Sequence, residues 1–191
     1  MITKLFLIRH GTTGVTDSEQ QPEHALSALG KEQVERLAQR LKRWGNCHLV
    51  YSSTFQRARE SAAIIAKACG GTVQEDGRLN EIGVWTSPVQ LHHPTKSPQE
   101  YQEAIRVLAM AQEKAVEFLT QIALHHPQEV IAVVCHGNII RGIIAEALSA
   151  GVETVVRLAV DNASLSILEF EAGEGKPYFR LSLFNDTSHL V

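Results

Sequence analysis

The chain has 191 residues and a formal net charge of -3 at pH 7, with 44% hydrophobic and 20% charged residues. This length suits one domain with a substantial core, and the composition is that of an ordinary globular protein. The slightly negative charge excludes a broad basic surface for nucleic acid or for an anionic membrane.

The cysteines and the N-terminal segment indicate the cellular compartment of the protein. Three cysteines, Cys47, Cys69 and Cys135, lie in apolar or helical contexts, and this odd number argues against a disulfide framework. The apolar run at 5–8 is too short for a signal sequence, and no other stretch approaches the roughly 18 consecutive apolar residues of a membrane span. We therefore expect a cytoplasmic protein without a membrane anchor.

The first predicted elements form a βαβ unit. Short strand-like runs lie at 5–8 and 48–53, and the segment 27–45 between them has the apolar period of a helix. We expect Ser27 to cap this helix and Gly45 to end it. Its apolar residues near one face are Leu29, Val34, Leu37 and Leu41.

The alternation continues along the chain. A second helix is predicted at 54–71, ending at a glycine pair, and a long helix or a broken pair at 99–126, ended by Pro127. The β-branched run EVIAVVC at 129–135 is typical of a central strand covered on both faces. A further helix is expected at about 138–148.

The C-terminal part changes character. The segment 164–184 is typical of two strands joined by a Gly-rich turn, and the least regular part of the chain, 82–98, is predicted to be a short lid. We expect a single domain over 1–191 with a three-layer α/β/α sandwich. Its central sheet is expected to be mostly parallel, with an antiparallel edge from the C-terminal strands and ligands bound beyond the carboxyl ends of the strands.

Polar clusters follow three of the predicted strands. Arg-His-Gly at 9–11 follows the first, Arg57 opens the helix after the second, and His-Gly at 136–137 follows the third. If these strands are parallel, the clusters meet at one edge of the sheet, where helix N-termini add positive dipole ends. The pattern predicts an anion site, above all one for a phosphoryl group.

These residue types suit phosphoryl transfer. Guanidiniums such as those of Arg9 and Arg57 fork onto phosphate oxygens and stabilise the charge of the transition state. A neutral histidine is a competent nucleophile if its other nitrogen is held by a hydrogen bond, and the carbonyl of Gly11 is a candidate acceptor. Gly11 is also expected to let the backbone approach the ligand closely.

Five segments carry a resemblance to a known family. They are FLIRHGTT, LSALGKEQ, YSSTFQRARESA, LNEIG and VVCHGNIIRG, in this order along the chain. FLIRHGTT resembles the R-H-G-x-T signature of the histidine phosphatase superfamily, the phosphoglycerate mutase-like proteins, and the other segments resemble its further motifs. The closing FNDTSHL is similar to the tail of the small phosphatase branch, although the sequence alone indicates no physical role for it.

The resemblance implies a set of functional residues. It implies His10 as the phosphorylated nucleophile, and Glu81 as the proton donor to the leaving oxygen. The phosphate pocket would consist of Arg9, Arg57, His136 and Gly137, together with His10 itself. It implies neither a metal nor another cofactor.

Two departures from the family pattern concern the pocket and its cover. Thr16 stands where the family usually has an asparagine that helps to hold phosphate, so we expect Thr16 in the pocket with only one hydroxyl to offer. The segment after Glu81 lacks the common G-x-W-E-G pattern, which predicts a short lid and an open site. His92 and His93 are candidate lid contacts to substrate.

A rival hypothesis places the nucleophile at Cys135. Cys135 and Arg141 have the C-x5-R spacing of a cysteine phosphatase loop, in which backbone amides cradle the phosphate. The intervening residues argue against this, because Ile139 and Ile140 are β-branched and typical of the first apolar turn of a helix. We expect Cys135 to be a buried strand residue.

The other histidines do not form a metal motif. His125 and His126 are adjacent, as are His92 and His93, and adjacent side chains diverge on a regular element. We expect His24 to be a surface or structural residue, and the same holds for His48, His125 and His126.

The expected function is hydrolysis of phosphomonoesters through a phosphohistidine. His10 attacks phosphorus, the arginines and a protonated His136 stabilise the oxygens, and Glu81 protonates the leaving alcohol and then activates water. The expected substrate is a small phosphorylated metabolite. Three alternatives stay open: a mutase, a protein phosphohistidine phosphatase and a non-catalytic phospho-ligand sensor. The oligomeric state is not predicted.

Overall fold

A computed structural model of the chain describes residues 2–16, 19–44, 47–82, 97–172 and 178–191. The strands within these ranges are β1 (Ile2–Arg9), β2 (Leu49–Ser52), β3 (Thr72–Glu75), β4 (Val130–Cys135), β5 (Leu165–Glu171) and β6 (Tyr178–Asp186). The α-helices are α1 (Ala28–Trp44), α2 (Gln56–Cys69), α3 (Pro98–His125) and α4 (Gly137–Ala147). Short 3-10 turns lie at Gly77–Leu79, Val152–Arg157 and Ser188–Leu190.

The six strands form one sheet in the order β3-β2-β4-β1-β5-β6. Strands β1 to β4 are parallel to one another, whereas β5 is antiparallel to β1 and β6 is antiparallel to β5. This topology confirms the prediction of a mostly parallel sheet with an antiparallel C-terminal edge. The central position of β4, between β2 and β1, agrees with its β-branched sequence.

Helices cover both faces of the sheet because side chains alternate along each strand. In β4, Ile131, Val133 and Cys135 belong to a core cluster that includes apolar residues of α3 and α4. Ala132 and Val134 belong to the opposite cluster, which includes apolar residues of α1 and α2. The result is the predicted three-layer α/β/α sandwich.

Helix α1 differs from its prediction at one apolar position. The hydroxyl of Ser27 accepts a hydrogen bond from the backbone N–H of Gly30 at 3.0 Å, as expected of an N-cap. Val34 and its partners on the predicted face are buried, but Leu29 is 57% exposed, so its assignment to the core face was wrong. The core position of the first turn is taken by Gly30, against which the chain at Thr12 packs directly. Gly45 lies outside the described residues.

The other predicted elements are present with small shifts. The long helix is continuous, with a capping box formed by Ser97 and Glu100 around its start. Strand β3 was not predicted, because TVQE is short, polar and mostly exposed at the edge of the sheet. Nearly all of the expected lid at 82–98 lies outside the described residues. Among the described helices, none has the length and apolarity needed to cross a membrane.

Candidate active site

The carboxyl ends of three parallel strands place polar residues side by side. Arg9 is in register with Cys135, so His10 and His136 follow β1 and β4 at the same edge. Arg57 lies in the first turn of α2, just after β2. Arg9, His10, Arg57 and His136 are buried, with between 0% and 7% of their surface exposed. The structure therefore brings together four residues from three distant parts of the sequence.

Two hydrogen bonds define the protonation state of His10. Its Nδ1 lies 2.8 Å from the carbonyl oxygen of Gly11, which only accepts, so Nδ1 carries the proton. Its Nε2 accepts a hydrogen bond from Nε of Arg57 at 3.1 Å and is therefore unprotonated. Burial, and next the charge of Arg9, lower the pKa of His10 to about 3. His10 is thus a neutral imidazole with its Nε2 lone pair on the side of Arg57, as a nucleophile requires.

The need for glycine at position 11 has a packing cause. A Cβ atom at Gly11 would lie 2.3 Å from the carbonyl oxygen of Gly30, a clash that α1 cannot relieve. Gly11 therefore allows the chain after β1 to pack on the first turn of α1. The close approach of this backbone to a ligand stays a prediction.

Both guanidiniums are fixed by contacts with the backbone. Nη1 of Arg9 donates to the carbonyl of Val160 at 2.7 Å, and a Cβ at Gly137 would lie 3.6 Å from Nε of Arg9. Nη1 of Arg57 donates to the carbonyl of Gln21 at 2.9 Å. Because these bonds hold the arginines before a ligand binds, little reorganisation is needed at the transition state.

His136 is held by a relay that the sequence did not reveal. Its Nε2 lies 2.7 Å from Oγ of Ser53, and that hydroxyl donates to Oδ1 of Asn80 at 2.9 Å. The backbone N–H of Thr54 also donates to this Oδ1, which establishes the oxygen as the acceptor. With its only proton given to Asn80, Ser53 accepts the Nε2–H of His136. The relay thus sets the tautomer and the ring plane of His136.

The surroundings of His136 oppose its protonation. Burial lowers its pKa well below the usual value, and the neighbouring His10, Arg57 and Arg9 lower it further. These surroundings favour a neutral His136, and its protonation beside a bound phosphate stays a prediction. Its ring centroid lies 5.1 Å from that of His10, so a dianionic phosphate bound at Nε2 of His10 would lie close to His136 and favour its protonation.

Glu81 lies at the N-terminus of α4, beside the cluster. Its Oε2 accepts from the backbone N–H of Asn138 at 3.4 Å, and its Oε1 accepts from the N–H of Ile82 at 3.0 Å. Burial raises the pKa of Glu81, although both hydrogen bonds and the two arginines oppose the shift. A carboxyl with a raised pKa holds its proton at higher pH, as a general acid must.

Thr16 is placed differently from the other residues expected in the pocket. It is exposed, and its hydroxyl donates to Oε2 of Glu19 at 2.6 Å. This bond uses the single proton of the hydroxyl and places a carboxylate where a phosphate oxygen was expected. The structure therefore does not support a phosphate contact by Thr16.

The rival nucleophile is unsuited to the task. Cys135 is the last residue of β4, is fully buried and belongs to the core. Burial raises the pKa of its thiol, so it is protonated at neutral pH. Ile139 and Ile140 are buried in α4, which begins at Gly137, so a helix stands where a cysteine phosphatase needs an open amide loop.

The remaining histidines agree with surface or structural roles. His48 and His125 are exposed, His24 is half-buried, and His126 lies 3.3 Å from the hydroxyl of Tyr51. His92 and His93 lie outside the described residues. Within the described ranges, no group of three or more His, Cys, Asp or Glu side chains is arranged to hold a metal ion.

The family model for the histidine phosphatase superfamily (branch 1) matches residues 5–187. The chain belongs to this superfamily. The match includes Arg9, His10, Arg57, Glu81 and His136, so the family resemblance and the buried cluster concern the same residues.

Relatives of this superfamily member have different names and activities. A probable phosphoglycerate mutase GpmB from Yersinia enterocolitica is 35% identical over 105 residues, 52% of this chain and 46% of that protein. The mitochondrial serine/threonine-protein phosphatase Pgam5 of Caenorhabditis briggsae is 32% identical over 194 residues, 98% of this chain and 64% of that protein. The chain thus spans less than two thirds of either relative.

A solved structure shares the whole fold of this family member. It is a phosphoserine phosphatase from Entamoeba histolytica in complex with 3-phosphoglyceric acid. It is 25% identical, has a TM-score of 0.75, and the likeness covers 99% of this chain and 100% of that one. The likeness therefore extends over the sheet, its covering helices and the strand ends that carry the cluster.

Proposed function

We propose that the chain is a hydrolase that cleaves phosphomonoesters through a covalent phosphohistidine on His10. The observation that carries this proposal is the pair of hydrogen bonds on the His10 ring. Nδ1 donates to the Gly11 carbonyl at 2.8 Å, which leaves Nε2 as the nucleophilic atom beside the Arg57 guanidinium. Membership of the histidine phosphatase superfamily supports the same role.

The first step forms a bond between Nε2 of His10 and phosphorus while the bond to the leaving oxygen breaks. The hydrogen bond from Nε of Arg57 to Nε2 is exchanged for bonds to the phosphoryl oxygens, while Nη1 of Arg57 keeps its bond to the Gln21 carbonyl. Arg9 stabilises the same developing charge. His136, raised in pKa by the bound dianion, donates a further hydrogen bond. Glu81 gives its proton to the departing alcohol.

The second step returns the site to its starting state. The carboxylate left on Glu81 takes a proton from water, whose oxygen attacks the phosphohistidine as the N–P bond breaks. Inorganic phosphate leaves, and Glu81 is again protonated. The balance needs only water, so neither step calls for a metal or another cofactor.

The proposed substrate is a small phosphorylated metabolite in the cytoplasm, bound by a single domain over residues 1–191. The name of the phosphoserine phosphatase and its bound 3-phosphoglyceric acid favour a short phosphorylated acid as the first compound to test. The phosphoglycerate mutase relative favours a second candidate, transfer to another hydroxyl in place of water.

The direct test is release of phosphate from para-nitrophenyl phosphate, phosphoserine and 3-phosphoglycerate by the wild type and by His10→Ala. We expect turnover by the wild type and a loss of more than about a thousandfold in the variant. Wild-type protein that binds inorganic phosphate but turns over none of the three would support the sensor alternative. A phosphohistidine peptide is assayed beside these three compounds, and release of phosphate from it alone would support a protein phosphohistidine phosphatase.

A further inference from the structure

The turn at 160–164 forms hydrogen bonds with the backbone of Arg9 and of the proposed nucleophile His10. The carbonyl of His10 accepts from the backbone N–H of Ala163 at 3.0 Å and from Nδ2 of Asn162 at 3.2 Å. The backbone N–H of Arg9 donates to the carbonyl of Ser164 at 3.2 Å. Together with the bond from the Arg9 guanidinium to Val160, these contacts fix both residues of the pair.

This turn is conformationally strained. Ala163 is buried and has a φ of 54°, in the left-handed region that costs a residue with a Cβ about 1 kcal/mol or more. Such a conformation persists only where the surroundings impose it. Its backbone N–H is held by His10 and its carbonyl accepts from Nε2 of His189 at 3.0 Å. The C-terminal segment thus supplies one of the two bonds that keep Ala163 in place.

Asn185 makes the main connection from the C-terminal segment to the turn. Its Oδ1 accepts from the backbone N–H of Asp161 at 2.7 Å, and its Nδ2 donates to Oδ2 of Asp161 at 2.8 Å. Asn185 has a φ of 50° and lies in an irregular part of the β5–β6 pairing, where its backbone N–H donates to Oγ of Ser166 at 3.0 Å. Bulges of this kind redirect a side chain, here toward the turn.

The same segment is anchored on α1. Nη2 of Arg40 lies 2.5 Å from Oδ2 of Asp186, and Nη1 donates to Oγ of Ser188 at 2.8 Å. Partial burial alone would raise the pKa of Asp186, but the bonds from Arg40 and Ser188 hold it at about 2. The anchor is therefore charged at any pH at which the protein is assayed.

We propose that the segment 185–189 positions the Arg9–His10 pair through the turn at 160–164, with Asn185 as the positioning residue. This gives a physical role to most of FNDTSHL, which the sequence left without one. Asn185 bonds to Asp161 of the turn, and this turn holds the backbone of the pair, so its proposed role is positioning and not contact with substrate. The inference rests on the proposed function, because the effect is expected on the chemistry of His10.

The test uses substitutions that break and then restore the Asn185–Asp161 pair. N185D keeps the acceptor for the Asp161 N–H but opposes two carboxylates, whereas N185D combined with D161N places an amide opposite a carboxylate again. N185G removes the side chain and tolerates the positive φ. Ser149→Gly is the matched control, since Ser149 also has a positive φ, is exposed and follows the end of α4 that lies away from the pocket.

The readouts are kcat and KM for para-nitrophenyl phosphate well below the melting temperature, the melting temperature itself, and the ¹⁵N shifts of the His10 ring. We expect N185D and N185G to lower kcat about tenfold, in the range that small misplacements of reacting groups produce. The double variant should recover to within about twofold of the wild type, and Ser149→Gly should not differ from it.

Two results would overturn the inference. One is a fall in melting temperature in N185D and N185G with unchanged kcat, which would indicate a structural role only. The other is a double variant as slow as N185D. If the wild type has no turnover, the proposed function fails independently of this inference. The ¹⁵N shifts of the His10 ring and the affinity for inorganic phosphate then test the positioning role of Asn185. If N185D and N185G change the ¹⁵N shifts and the phosphate affinity, and the double variant reverses these changes, positioning is supported. Unchanged shifts and affinity contradict it.

Discussion

Nε of Arg57 lies 3.1 Å from Nε2 of His10 and donates a hydrogen bond to the atom that we propose as the nucleophile. This bond keeps Nε2 unprotonated and directs its lone pair. When a phosphoryl group enters, the same guanidinium lies within reach of its oxygens. One arginine thus prepares the nucleophile and then stabilises the charge that develops as it reacts.

Arg57→Lys separates the charge of this arginine from its forked geometry. A lysine keeps the positive charge but offers one nitrogen, so it cannot replace both contacts. We expect kcat/KM for para-nitrophenyl phosphate to fall about a hundredfold or more. Arg59→Lys is the control, because Arg59 lies on the same helix, is 56% exposed and pairs with Glu75. Equal activities of the two variants would contradict the role of Arg57.

Glu81→Gln tests the proton donor through the leaving group. An alkyl oxygen needs a proton to depart and para-nitrophenolate does not, so we expect a loss of about a hundredfold for phosphoserine and less than tenfold for para-nitrophenyl phosphate. Glu113→Gln, an exposed change on α3, should lower neither rate. Equal losses for the two substrates would argue against Glu81 as the acid.

The pH dependence of kcat/KM in the wild type is a second test of Glu81 as the proton donor. Because burial raises its pKa, the carboxyl stays protonated above its ordinary range and loses its proton as the pH rises through that raised value. We therefore expect kcat/KM for phosphoserine to fall on the alkaline side of this pKa, and Glu81→Gln to remove that limb. On the acid side, His10 with a pKa of about 3 should not limit the rate until the pH is near that value.

Ser53→Ala tests the relay that holds His136. The change removes the acceptor of the Nε2–H bond and should lower kcat about tenfold, because the His136 ring is no longer oriented. Ser52→Ala is a close control, since Ser52 is equally buried but its hydroxyl donates to the carbonyl of Ser53. Ser53→Thr keeps a hydroxyl and should restore much of the rate. If Ser53→Ala is as active as Ser52→Ala, the relay has no part in the reaction.

Cys135→Ala distinguishes the two histidine-based steps from a thiolate mechanism. Removing one buried sulfur should cost about 1 kcal/mol of unfolding free energy and leave kcat within about twofold of the wild type. The measurement is kcat at a temperature where both proteins are fully folded. Loss of turnover in this variant, with activity retained in His10→Ala, would move the nucleophile to Cys135.

The general fold was predictable because its signals are local. The β-branched run of β4, the Ser27 cap of α1 and the alternating C-terminal strands each follow from a few adjacent residues. Strand β3 was not predicted because TVQE has neither an apolar run nor an alternation of apolar and polar residues. Its strand structure depends on pairing with β2.

The candidate site was predictable only in its main residues. Arg9 ends β1, and His10 and His136 directly follow β1 and β4, so their meeting follows from parallel topology. The supports of these residues were missed: Ser53 and His136 are separated by 83 positions, and His10 and Asn162 by 152. Such contacts depend on side-chain direction in the folded chain, which periodicity does not encode.

The central claim is that phosphate passes through His10 on its way to water. The most direct measurement is a rapid quench with radiolabelled phosphomonoester, followed by peptide mapping of the label and by its fate on dilution. The account predicts an acid-labile, alkali-stable label on the peptide that contains His10, absent in His10→Ala and released as inorganic phosphate. A label on another residue, or one that passes to a second hydroxyl with negligible hydrolysis, would contradict it.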